Sequence, residues 1–297
     1  LIKRILTHDE DDLMPPPESK KELSDKQKET LRQWIAEGAE YEPHWAYTPL
    51  AKPAVPQVSG FKIQDSSPID AFIRAALAEK NIQPSPEADA ATLVRRVSLD
   101  LTGLPPSPQL LQRYIDQAKD SRLPPQAFES LVDELLRSPH FGERWAVWWL
   151  DAVRFADTVG FHGDQNQRIF PYRDYVINAF NANKRFDQFT LEQIAGDLLP
   201  NPTQEQLIAT GFNRLNMMTR EGGAQSKEYI AKYQADRVRT LGSAWLGSGM
   251  TCCECHDHKY DPLTQRDFYS LSAYFADVKQ WGVYADYGYT PNPELKG

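Results

Sequence analysis

Helix-start signatures recur along this chain of 297 residues and constrain its fold more than any other feature. Ser24 with Gln27, Thr190 with Gln193 and Thr203 with Gln206 each set a hydroxyl three residues ahead of an amide. At that spacing, side chains and backbone cap one another reciprocally at a helix N-terminus. Thr264 and Asp267 begin a last helix in the same way, and Pro68 opens another in SPIDAFIRAALAEKN. Apolar residues then follow at helical spacing: Ile69, Phe72, Ile73, Ala76 and Leu77 in one segment, Phe268, Leu271 and Phe275 in another. Gly103 and the prolines of GLPPSP close the helix of ADAATLVRRVSLDLTG. Further helices are expected over about 107–119, 124–137, 141–157 and 226–246, the third being the Trp-rich ERWAVWWLDAVRFAD. The stretch DTVGFHGDQNQRIFP reads as a turn-rich loop. Few segments alternate with period two, so the expected class is all-α, an irregular multi-helix domain with long loops.

Composition supports a folded chain: 41% hydrophobic, 11% aromatic and 25% charged residues are the profile of a globular protein. A formal net charge of −8 argues against a broad electrostatic footprint for nucleic acid. No apolar run approaches the roughly 20 residues needed to cross a bilayer as a helix. Residues 1–42 read as a small unit, with an acidic turn, a proline stop and one amphipathic helix carrying Leu31, Trp34, Ile35 and Ala39. Residues 43–66, rich in proline, read as an extended linker, and 67–297 as a helical core. The opening LIKRILTHDE lacks both an initiator Met and a signal-peptide pattern, so a targeting segment is expected upstream, within a longer polypeptide.

All three cysteines fall in TCCECHDHKY, residues 251–260. Cys252, Cys255 and His256 match C-x-x-C-H, the attachment signature of a c-type haem. Two thiols three residues apart reach the two vinyl positions of one porphyrin edge, and the next imidazole becomes the proximal ligand. Two alternatives stay open. A bare transition-metal site could draw on Cys252, Cys253, Cys255, His256, His258 and Asp261, and a neighbour disulfide or buried thiols would need no cofactor. For a haem, His162, Met217, Met218 and Met250 are candidate distal ligands, while His258, Lys259 and Asp261 are candidate outer-shell residues. Arg154, Arg173 and Arg237 suit a propionate or an anionic substrate, and Trp145, Trp148 and Trp149 suit a porphyrin plane or the core. A non-haem enzyme acting on a polymer such as a glycan would instead use Glu221, His162 and Asp261, and a scaffold domain would need none of these.

The stretches RRVSLDLTGLPPSP, HFGERWAVWWLDAVRFAD, YRDYVINAFNANKRFDQFTLEQIAGDLLP, EGGAQSKEYIAKYQADRV and CCECHDHKYDPLTQRDFYSLSAYF resemble the core of the planctomycete cytochrome c-like family. Residues 1–47 are similar to the tail of that family's N-terminal cytochrome domain, including an M-P-P-P turn. The resemblance implies Met14 as an axial ligand of a separate N-terminal haem. It supports haem c on Cys252, Cys255 and His256, and it implies electron transfer or haem redox catalysis in the periplasm or at the cell surface. The expected partners are flanking domains of the same polypeptide and a redox protein or small-molecule substrate. Where many members look like C-x-R-C-H, this chain has Cys253 and Glu254.

Overall fold

The computed structural model describes residues 1–280 apart from 43, 58–66, 163, 165 and 220, and of His162 the backbone alone. Much of the expected linker therefore lies outside the described residues. The chain divides into two compact units, Leu1–Ser85 and Pro86–Gly297. The described residues are mostly helical, with two short parallel strands, as the capping and periodicity require.

The first unit holds α1 (Ile2–Leu6), α2 (Asp25–Ala36) and α3 (Pro68–Glu79). Ser24 and Gln27 form the expected capping box on α2. That helix ends earlier than its stripe suggested: Gly38 (φ +105°) and Ala39 (φ +52°) turn the chain away. No residue of α2 is buried.

In the second unit α4 (Ala90–Thr102), α5 (Pro108–Ile115) and α6 (Pro125–Leu136) pack around Val94, Tyr114 and Leu131. Gly103 closes α4 with φ +72°, a left-handed conformation that a side chain would strain. A second core joins α7 (Pro139–Ala152), α8 (Phe170–Asn181) and α9 (Phe186–Ala195) to residues 209–215, around Val153, Tyr172, Val176 and Phe212. Then follow α10 (Gln204–Ala209), α11 (Ser226–Leu241), a π-helical turn at Gly242–Leu246, and α12 (Gln265–Tyr274). Capping boxes start α10 at Thr203 and α12 at Thr264.

Two expectations need correction. Thr190 does not start a helix: α9 begins four residues earlier, and both members of the supposed cap serve tertiary contacts. The Gln193 carbonyl accepts from the Tyr172 hydroxyl (2.5 Å) and the Trp149 indole (2.9 Å), and the Thr190 hydroxyl accepts from the Trp245 indole (2.9 Å). A buried amide so engaged cannot reach back to a backbone N–H. The segment read wholly as loop also contains β1 (Gly160–His162), which pairs in parallel with β2 (Met218–Thr219). So short a strand with a distant partner leaves no period-two signal.

Candidate functional site

The cysteine loop hangs between α11 and α12 on one buried anchor. Residues Thr251–Glu254 form a 3₁₀ turn. The Cys252 carbonyl accepts both the Cys255 and His256 N–H groups, each at 3.2 Å. Side chains three apart in such a turn lie on the same side, so Cys252 and Cys255 project together, both exposed and free. Cys253 points the other way, fully buried among Ala235, Val238, Met250 and Phe268. Its Sγ donates to the Leu263 carbonyl (3.5 Å), and burial pushes its thiol pKa up. Burying Val238 and Phe268 contributes about 1.5–3 kcal/mol each, which fixes the turn's orientation.

His256 follows the turn as an exposed residue, with Nδ1 2.8 Å from the Asp257 carbonyl oxygen. A carbonyl only accepts, so Nδ1 carries a proton in this contact, and in the neutral ring Nε2 is then the nitrogen with the lone pair. That is the tautomer a metal-ligating imidazole uses, with its second nitrogen tied to the backbone. The donor set therefore fits a haem attachment site: two thiols on one side, an imidazole with Nε2 open, and the extra cysteine turned inward.

His258 has a different local task. Its Nδ1 accepts from the backbone N–H groups of Asp261 (2.9 Å) and Tyr260 (3.3 Å), while its own N–H donates to the Leu263 carbonyl (2.8 Å). It folds the 258–263 turn upon itself, and the Asp261 carboxylate stands 3.6 Å from Nδ1. Lys259 is exposed, with Nζ 5.2 Å from the Tyr260 ring centroid. Sequence reasoning missed the loop's supports. Arg239 pairs with the Glu254 carboxylate, and the Glu254 carbonyl accepts from the Tyr269 hydroxyl (3.0 Å) and the Gln265 amide (3.3 Å). Only the proximity of α11 and α12 to the motif in sequence pointed to them.

The distal candidates are scattered. Met250 is wholly buried with Cys253, and Met218 is buried with Val159 and Tyr233, its Sδ accepting from the Gln280 amide at 3.2 Å. Met217 is 52% exposed. His162 pairs through its backbone with Thr219. Met14 belongs to the first unit and is 39% exposed. Among the described residues no three His, Cys, Asp or Glu side chains gather as a metal-holding group, so the six-ligand set of the bare-metal alternative is not assembled. Glu221 is exposed beyond β2, its N–H donating to the Thr219 hydroxyl at 3.2 Å.

Of the arginines, Arg173 pairs with the adjacent Asp174 at the surface (3.1 Å). Arg154 binds Asp236 (2.5 Å). Arg237 is 2% exposed and donates to the Asn213 carbonyl (2.7 Å) and to Gln280, so it is no open anion ligand. Trp149 is packed in the core against Phe189 and Trp245, whereas Trp145 and Trp148 are exposed.

Fold and site together define a mostly helical protein that presents an exposed C-x-x-C-H turn. Residues 68–280 match the PSCyt2 family, described as a protein of unknown function (DUF1549), and the chain belongs to that family. No curated protein and no solved structure matches it. No helix among the described residues is long and apolar enough to cross a membrane.

Proposed function

We propose that Cys252 and Cys255 are the attachment points of a c-type haem with His256 as its proximal ligand. The protein then acts in electron transfer or haem-based redox catalysis. The observation that carries this reading is the split of the three cysteines: two exposed thiols on one side of a 3₁₀ turn, the third held in the core, with an Nδ1-protonated imidazole beside them. When bound, the haem would supply one-electron chemistry. The chain's own part is positional. The Asp257 carbonyl orients the His256 ring, Cys253 fixes the turn, and the Arg239–Glu254 pair ties it to α11.

Met218 and Met250 serve the core, which favours Met217 or His162 as sixth ligand, or an open position. Covalent attachment of haem c takes place outside the cytoplasm, so this reading places the protein in the periplasm or at the cell surface. The family resemblance extends it to a longer polypeptide, with flanking domains, a redox partner or small-molecule substrate, and Met14 serving a separate N-terminal haem.

Protein matured with a haem-attachment system should show a Soret band and a covalent haem stain. Both should be lost in the Cys252→Ala/Cys255→Ala variant and kept in Cys253→Ala, with circular dichroism reporting folding. Colourless wild-type protein would overturn the proposal.

A further inference from the structure

Gln265, the first residue of α12, grips the cysteine loop at two points, one on each side of the Cys255–His256 step. Its side-chain amide donates to the Glu254 carbonyl (3.3 Å), and its backbone N–H donates to Asp257 Oδ1 (2.8 Å). The Asp257 carbonyl oxygen in turn lies 2.8 Å from His256 Nδ1. We propose that Gln265 and Asp257 are positioning residues for His256. Together they fix the carbonyl that holds the imidazole proton on Nδ1, and so keep Nε2 free as the ligating nitrogen. The use of Nε2 as a ligand rests on the haem reading above, whereas the tautomer belongs to the chain alone.

Three observations support these roles. The first is the helix start, which leaves its leading N–H groups without intrahelical acceptors. The Thr264 hydroxyl takes the Asp267 N–H (3.1 Å) and not that of Gln265. The acceptor for Gln265 comes instead from the motif, as a carboxylate at the positive end of α12. The second is the anchor behind this grip: Phe268 of α12 is 1% exposed and packs with Cys253, so the helix is fixed against the inner side of the same turn. The third is exposure. His256 and Asp257 are both open to solvent. An imidazole in water favours its proton on Nε2, and one carbonyl reverses that preference only when its own position is held by further hydrogen bonds.

The tautomer is readable without haem. Nitrogen NMR of the haem-free full chain at about pH 9, where an ordinary imidazole is neutral, should show His256 mainly protonated on Nδ1. Asp257→Ala removes the acceptor. Gln265→Pro removes both donors at the helix position that best accepts proline, after a Thr264 backbone already extended (φ −105°, ψ 160°). Each variant should move the ring to a majority protonated on Nε2 while circular dichroism stays unchanged. Asp257→Asn, which keeps the acceptor oxygen, should hold the wild-type ratio. In haem-loaded protein, Asp257→Ala should raise the reduction potential, because an imidazole without its Nδ1–H bond is a weaker donor to ferric iron. Asp257 is exposed, so its variants keep the test valid should Gln265→Pro fail to fold. The proposal is overturned by an Nε2-protonated majority in the wild type, by a tautomer indifferent to Asp257→Ala, or by an unmoved potential in the loaded variant. Wild-type protein that takes no haem but shows the expected tautomer shifts would sink the haem reading and leave the positioning roles supported.

Discussion

At the scale of single residues, packing divides chemically equal groups. Cys252 and Cys255 are open to solvent, while Cys253 is sealed and its thiol pushed up. A maleimide acting on folded, haem-free protein should therefore add two labels by mass spectrometry, and a third only in denaturant. Three rapid labels would contradict the buried anchor. A second residue-scale contrast concerns Glu192, 2% exposed, which accepts from Tyr175 (2.8 Å), Gln188 (3.0 Å) and Lys184 (2.6 Å). Burial raises its pKa, but these bonds and the Lys184 charge outweigh it, leaving the carboxyl below its ordinary range. Its contribution to stability is thus complete above the unfolded-state pKa and is lost as pH falls through the lower folded value. Denaturant melts should show Glu192→Gln with a flatter acid limb than wild type. Lys184→Met, which strands the buried charge, should lose about 3–5 kcal/mol at neutral pH.

Helix pairs are the next scale, and α7 packs against α8. At Gly142 an added Cβ would stand 2.6 Å from the Asn181 side chain and strike the Ile177 carbonyl, while the Gly142 N–H donates to Asn181 Oδ1 (2.8 Å). Gly142→Ala should cost about 1–3 kcal/mol through overpacking, although alanine is the better helix former. A variant as stable as wild type in thermal melts would show that the helices yield freely. The element scale is also where the sequence was most legible. Ser24, Thr203 and Thr264 cap within three residues, so both partners are visible in one short string. Thr190 and Gln193 carry the same string, yet their partners Trp245, Trp149 and Tyr172 lie 55, 44 and 21 residues away. A local signature cannot report a competitor so remote. The β1–β2 pairing was hidden for the same reason. Within the cysteine loop the motif was plain, but which thiol turns inward depends on α11 and α12.

On the scale of the whole molecule, α11 ties the core around Tyr172 and Phe212 to the cysteine loop. Asp236 holds Arg154, Arg237 holds the Asn213 carbonyl, Val238 packs on Cys253's core, and Arg239 holds Glu254 of the cysteine loop. From Tyr233 through Gly242 no residue is exposed, whereas Ser226–Glu228 and Ile230–Lys232 all are. An amphipathic helix ordinarily keeps one free face, and substitutions there are tolerated every third or fourth position. The C-terminal half of α11 has no such face. Its freedom to vary should therefore follow no helical period: a saturation scan read out by folded yield should give an unbroken intolerant block over 233–242, beside a permissive 226–232.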